Sequence, residues 1–376
     1  LPWEGVTSLG ISVLKDDDGF KLYYLGRSRP DFTRQSALKP GEKVIPEHEV
    51  VVCLAESPDG RTWSKPTLNL VEYDGSRENN ILALKGGVPF LDTNPDVPRS
   101  ERFKSPRIQH EEGVFQLEMS VSPDGKHWTT WPQAVASWRD IRGFDSPNLM
   151  FWSKVEQQYV FYYRLNVDYR TIARSTAPRL DSWPDDDVTR LRFGASPPQH
   201  LYTNAATPYF RAPHIYVAFP KRHHPWRTRY LDGPHPGLSE SVFMASRNGV
   251  DWTRYLDAFI PPGRDERNWV HRANLMLVGV HPTASDEISL YINRHYTFPT
   301  AYIERLTLRS DGFVSLRADY QGGEVITKPF IYEGEKLILN FSTSAFGSIQ
   351  VEVQDPSGNP FPGLTLAESP LIFGDE

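Results

Sequence analysis

The sequence predicts an all-β protein: a five-bladed β-propeller followed by a small C-terminal β-sandwich. Three observations predict it. A turn motif recurs at a steady interval, short aromatic and β-branched runs precede its copies, and the 376 residues include 32 Pro and 26 Gly. So much Pro and Gly favours many turns and few long helices. The length suits one large domain and one small one, expected at 1–318 and 319–376.

The motif is first seen as Ser57-Pro58-Asp59-Gly60-Arg61-Thr62-Trp63. It returns as Ser122-Pro123-Asp124-Gly125-Lys126-His127-Trp128 and as Ser246-Arg247-Asn248-Gly249-Val250-Asp251-Trp252. A degenerate copy runs from Ala173-Arg174-Ser175 to Trp183, and a fifth is Ser310-Asp311-Gly312-Phe313. The closing aromatics are spaced by 65, 55, 69 and 61 residues. Asp or Asn followed by Gly suits a tight turn, because both tolerate left-handed backbone. Ahead of the copies lie strand-like runs such as Lys21–Leu25, Val114–Glu118, Tyr159–Tyr163, Ile215–Phe219 and Ile288–Ile292. Five units of several strands each match propeller blades with long loops. A large β-sandwich would not demand such a period, and solenoid repeats are shorter, about 20–50 residues. Beyond Phe313 the runs 336–341 and 348–353, with a turn at Asp355–Pro360, predict the small sandwich.

A net charge of −6 argues against a general nucleic-acid binder. Cys53 is the single cysteine, so no internal disulfide forms. No apolar run is long enough to span a membrane. The first residue is Leu1, which fits a trimmed chain or a mature protein without its signal peptide; a periplasmic or extracellular location is the expectation. No Gly-rich phosphate loop and no Gly-x-Ser-x-Gly elbow is found, and no cofactor is expected. His223-His224 is a poor metal pair, since neighbours on a strand point to opposite faces.

In a propeller the innermost strands converge, so polar residues at the start of each blade meet in space. Asp145, ahead of Leu149–Trp152, and Glu240, leading into Val242–Met244, are the expected carboxylate pair, with Glu4 and Asp92 as further acidic groups. A glycosidic bond is cleaved by two such groups, one protonated and one ionised. The 12% of aromatic residues suits stacking on sugar rings, and Trp3 and Trp269 are candidate platforms. Arg142, Arg164, Arg211, His214, Arg222, Arg272, Arg294 and His295 are the expected substrate-binding groups. Arg forks bind carboxylate or sulfate, so a uronate, ulosonate or sulfated sugar fits. An oligo- or polysaccharide is the expected partner; a non-catalytic sugar-binding propeller is the alternative.

These residues carry a resemblance. The stretches Pro2-Trp3-Glu4-Gly5, Asp145-Ser146-Pro147-Asn148, Tyr202-Thr203-Asn204-Ala205-Ala206, Arg211-Ala212-Pro213-His214-Ile215-Tyr216 and Asn268-Trp269-Val270, with the run from Ser310 to Ser348, resemble uncharacterised bacterial proteins. Those proteins are similar to the five-bladed propeller glycosidases of the fructosidase and arabinosidase groups, families 32 and 43. The resemblance covers nearly the whole chain and implies glycoside hydrolysis. Fructosidases carry an Asn-Asp-Pro-Asn stretch, an Arg-Asp-Pro triplet and a Glu-Cys pair. Here Trp3-Glu4-Gly5, Phe144-Asp145-Ser146 and Ser239-Glu240-Ser241 stand in those places, and the first and third depart from the pattern. The turn motif also resembles the structural Asp-boxes of sialidases, which would need three Arg on one carboxylate; Arg211, Arg272 and Arg294 are the candidates.

Overall fold

The computed structural model describes residues 1–28, 48–139, 141–145, 147–184, 187–202, 204–230 and 236–376. Ser146 and Thr203 of the motifs above lie outside the described residues. The protein is all-β, with several sheets.

The first sheet is a meander of β1 (Leu9–Asp16), β2 (Gly19–Ser28), β3 (His48–Ser57) and β4 (Ile81–Leu82). The second runs β5 (Phe90–Leu91), β6 (Phe103–Glu111), β7 (Val114–Ser122) and β8 (Thr129–Thr130), with β9 (Ala136–Arg139) also on β7. The third is β10 (Leu149–Ser153), β11 (Gln158–Asn166), β12 (Arg170–Ala177) and β13 (Thr189–Arg190). Next come β14 (His200–Leu201), β15 (Thr207–Tyr209), β16 (Ala212–Ala218), β17 (Lys221–His224), β18 (Leu238–Ser241), β19 (Met244–Ser246) and β20 (Trp252–Arg254). They form a four-stranded sheet, β15-β16-β19-β20, and a smaller one, β14-β17-β18. The last sheet joins β21 (Leu275–Met276), β22 (His281–Pro282) and β24 (Tyr302–Arg309) to β23 (Glu287–Arg294).

Aromatic and β-branched residues fill the spaces between sheets. Phe90, Leu117 and Met119 of the second sheet pack with Phe161, Tyr163 and Trp152 of the third. Leu277 and Tyr291 of the last sheet pack with Val13, Leu22 and Tyr24 of the first. Chain end meets chain start here: β1 bridges Val278 in parallel at Ser12, and the Asn293 side chain bonds both backbone groups of Gly10.

The turn motif locks neighbouring sheets. In three copies the Ser Oγ accepts from the Gly N–H, at 2.8 Å for Gly60 and 2.9 Å for Gly125 and Gly249. These glycines sit at φ +71°, +75° and +71°, where a side chain would strain the backbone. Each glycine carbonyl then accepts a tyrosine hydroxyl from an adjacent sheet: Tyr23 to Gly125 at 2.9 Å, Tyr162 to Gly249 at 2.7 Å and Tyr291 to Gly60 at 2.5 Å.

The chain divides into two compact units, Leu1–Thr307 and Leu308–Glu376. The expected sandwich is not confirmed in the second unit. After Arg309 its backbone pairs through isolated bridges, Ser342 with Asp375, Ile349 with Ile372 and Gln354 with Pro360, and no described residue there is in a strand. Its apolar side chains, Ile331, Ile338 and Phe346 among them, are exposed, so there is no two-sheet core. No helix is long and apolar enough to cross a membrane.

Candidate active site

The site is built from two recurring places in the first unit: the stretch before the first strand of a sheet and the end of the strand that follows it. Asp145 stands before β10, Tyr202 before β15, and His271 and Arg272 before β21; Arg27 ends β2 and Arg164 is near the end of β11. These ends lie together because β10 and β11 are antiparallel, with Leu149 opposite Tyr162.

Asp145 is the exposed carboxylate of the group, with 46% of its side chain open, and Oδ2 receives Arg164 Nη2 at 2.6 Å. The Tyr202 hydroxyl donates to the same oxygen at 3.1 Å. Three cations surround the Tyr202 ring: Lys221 at 3.8 Å, Arg164 at 4.4 Å and Arg170 at 5.2 Å from its centroid. Lys221 is buried and donates to the His271 carbonyl at 3.3 Å. Burial first, then the positive charge of Arg272, Arg170 and Arg164, holds its ammonium well below the ordinary lysine range; Asp145 works against them. His223 meets His271 through their Nδ1 atoms at 3.1 Å. Burial, Lys221 and Arg170 push His223 down to about 3, so it is neutral. Tyr296 accepts from Arg27 at 3.1 Å and from Arg272 at 3.4 Å.

Backbone strain gathers around this cluster. Phe144, Ala205, Asn274, His295 and Thr297 all have positive φ, between 43° and 77°, which is costly for residues with a Cβ. Phe144 is held by its N–H to the Arg164 carbonyl at 2.8 Å, which sets Asp145 beside Arg164.

The other expected residues are placed elsewhere. Glu240 is on β18 opposite Arg222, while Lys221 and His223 pair with Ser241 and Ser239. Strand alternation therefore puts Glu240 on the opposite face of this hairpin from Lys221 and His223. It is bound by Arg222 at 2.5 and 2.8 Å and by His224 at 3.0 Å. Burial raises its pKa, but His224 and Arg222 outweigh burial and leave it lowered. Asp92 follows β5 instead of preceding it, so it lies at the far end of the sheet. There it is buried against Lys104 at 3.1 Å and Tyr159 at 2.8 Å. Glu4 is tied to Lys65 and Tyr24, each at 2.6 Å. Trp3 is buried with its indole N–H on Asn80 at 2.9 Å and offers no open ring face.

Arg142 is exposed and lines a depression of about 290 Å³ with Ile141, Leu165 and Val188. Arg211 and His214 are exposed on the β15–β16 hairpin, away from the Tyr202 end of β15. Trp269 donates its indole N–H to the Gly263 carbonyl at 2.9 Å. Arg294 binds Glu304 at 2.7 Å and the Asn274 side chain, and His295 binds Thr300 at 3.0 Å. Of the expected trio, Arg272 is near Tyr296 and Arg294 binds Asn274, while Arg164, Arg170 and Lys221 lie around the Tyr202 ring. Among the described residues no group of three His, Cys, Asp or Glu side chains is placed to hold a metal ion.

No family model matches the chain, and no curated protein matches it. Solved structures are similar at low identity. One described as a glycoside hydrolase has 12% identity over 81% of this chain and 88% of its own, with a TM-score of 0.49. A thermostable family-43 glycoside hydrolase has 12% identity over 85% and 97%, with a TM-score of 0.48. A glycosyl hydrolase from Bacteroides ovatus has 13% identity over 84% and 87%, with a TM-score of 0.48.

Proposed function

We propose that this protein is a glycosidase that cleaves an anionic oligo- or polysaccharide in the pocket around Asp145. In this reading the first unit is a five-bladed propeller, each blade one of the four- or five-stranded sheets, with β14-β17-β18 as an outgrowth of the fourth. The tyrosine–glycine locks between sheets and the pairing of β1 with Val278 support a closed ring.

One observation carries the proposal: an accessible carboxylate, Asp145, fixed at 2.6 Å by a buried guanidinium, with further cations around it. A carboxyl group so placed passes a proton to the glycosidic oxygen or takes one from the attacking water, and the cations recognise negative charge on the sugar. Glu240 fits less well as the second carboxylate, because it faces the other side of its hairpin. Its place in this reading is to hold Arg222.

The test is a glycan library that includes uronate and sulfated oligomers, with wild type, Asp145→Asn and Glu240→Gln. Cleavage lost in Asp145→Asn with binding retained supports the proposal. Binding without cleavage by wild type would instead establish the second reading, a non-catalytic carbohydrate-binding propeller. The observation favouring that reading is that no second carboxylate contacts Arg164, Arg170 or Lys221 among the described residues.

A further inference from the structure

Taking the Asp145 pocket as the glycosidase site, we infer that Arg164, Arg170 and Lys221 form a binding site for a tetrahedral, doubly charged oxyanion of the phosphate type.

The first ground is unused donors. Arg164 is only 8% exposed, yet its Nε and Nη1 are buried without a hydrogen-bond partner among the described residues, as is Arg170 Nε. A buried donor left unmade is costly, more so on a charged group, and such a group calls for a ligand or an ion. Arg164 uses Nη2 on Asp145, so its other nitrogens remain for something else.

The second ground is charge. Three cations lie within 5.2 Å of one ring centroid, and one of them, Arg164, is bound to Asp145. Like charges this close repel strongly where water is excluded. A dianion bound beside the Tyr202 ring offsets the repulsion and supplies the missing acceptors together. The third ground is shape. A carboxylate is met by one Arg fork in one plane, whereas here two guanidinium groups and an ammonium come from different strands, β11, β12 and β17. Donors spread in this way match oxygens spread over a tetrahedron.

The oxyanion has two sources. As free inorganic phosphate it is a reactant: the bond from the anomeric carbon to the leaving oxygen breaks, and a phosphate oxygen forms the new bond to that carbon. The Asp145 carboxylate takes the proton of the hydrogen phosphate and passes it to the leaving oxygen. As a phosphate monoester it is part of the sugar and is only bound.

The experiment measures inorganic phosphate binding by calorimetry at fixed ionic strength, with sodium chloride as control. Wild type is compared with Arg164→Gln, Arg170→Gln and the distant Arg192→Gln. Arg170 is half-buried and is the safer variant for folding. The expected result is saturable phosphate binding, weakened at least tenfold in Arg164→Gln and Arg170→Gln and unchanged in Arg192→Gln. No binding by wild type, or equal affinity in all variants, overturns the site, even where glycans are still cleaved. Binding with no glycan cleaved under any condition leaves the site standing and removes the glycosidase. Neutral glycans are then incubated with and without phosphate. A sugar phosphate formed as phosphate is consumed assigns the anion as reactant; phosphate that competes with an esterified glycan assigns it to the substrate.

Discussion

The Tyr202 hydroxyl and the Arg164 guanidinium converge on a single oxygen of Asp145, at 3.1 and 2.6 Å. Tyr202 and Asp145 lie 57 residues apart, and the contact joins the lead-in to β15 with the lead-in to β10. One carboxyl oxygen is thereby fixed, while the side chain as a whole stays 46% open. The aromatic ring that supports this contact is the same ring that Lys221, Arg164 and Arg170 surround.

Removing the Tyr202 hydroxyl while keeping its ring separates orientation from packing. Tyr202→Phe keeps the cation contacts and loses one hydrogen bond to a charged group, worth about 1.5–3 kcal/mol. We expect kcat/KM on a cleaved glycan to fall roughly ten- to a hundredfold. Asp145→Asn removes the proton-transfer group, and a loss of about 10²–10⁴-fold is expected. Steady-state kinetics of both variants check this, and a Tyr202→Phe enzyme at full activity would show that the hydroxyl does not orient Asp145.

The turn glycines tie sheets together, so their effect is on stability. A Cβ on Gly125 would lie 2.4 Å from the Tyr23 hydroxyl, and the backbone there is at φ +75°. Gly125→Ala therefore meets a clash and a left-handed backbone together, at a cost of about 1–3 kcal/mol. Tyr23→Phe loses a single buried hydrogen bond while the Trp128 indole N–H still donates to the Gly125 carbonyl at 3.1 Å, at about 0.5–1.5 kcal/mol. Denaturant melts of the two variants and of the double variant test the lock. Contact between the sites predicts that the two costs do not add.

These locks explain why the fold was legible and the site only partly so. The three full copies of the motif carry Ser, Asp or Asn, and Gly in fixed places, and each element has a local physical task. The copy at 173–183 lacks the Gly, and the chain makes a single 3₁₀ turn there, Leu180–Ser182. The site depends on non-local facts. Asp145 is a candidate from sequence because it lies shortly before the apolar strand β10. Asp92 follows a two-residue strand, Phe90–Leu91, too short for the sequence to reveal which side of it is the start. The face of Glu240 depends on a register that pairs it with Arg222. Arg170, Lys221 and His271 gained importance only once separate sheets were brought together. The run Lys221-Arg222-His223-His224 held a signal in its alternation: His223 reaches His271, and His224 reaches Glu240. The sandwich is not confirmed: residues 336–353 make isolated bridges and leave Leu337 and Ile338 exposed.

The buried pair of Asp92 and Lys104 belongs to stability. Lys104 is 1% exposed and Asp92 7% exposed. Asp92→Ala leaves a buried ammonium without its carboxylate, and breaking such a pair costs about 3–5 kcal/mol. We expect a clearly lowered melting temperature with glycan binding unaltered once folded. A normal melting temperature with lost binding would place Asp92 in the site after all.

Lys221 combines a stability cost with a binding role, and pH separates the two. Its folded pKa is depressed, so between that value and the unfolded value the unfolded chain binds more protons. Stability then rises with pH. The full penalty is present below the folded pKa and fades as pH climbs toward the ordinary lysine value of 10.5. The facing groups are Arg164, Arg170, Arg272, His223, His271 and Asp145; those that keep their charge over this range leave the lysine to set the slope. Lys221→Met removes the penalty and keeps the bulk. It is therefore expected to melt higher than wild type at pH 7, with the difference closing toward pH 10. Added phosphate should raise the melting temperature of wild type and leave Lys221→Met unmoved. A variant less stable than wild type by a constant margin at every pH would mean that the hydrogen bond to the His271 carbonyl dominates, and that the amine is a structural strut with no strain for an anion to relieve.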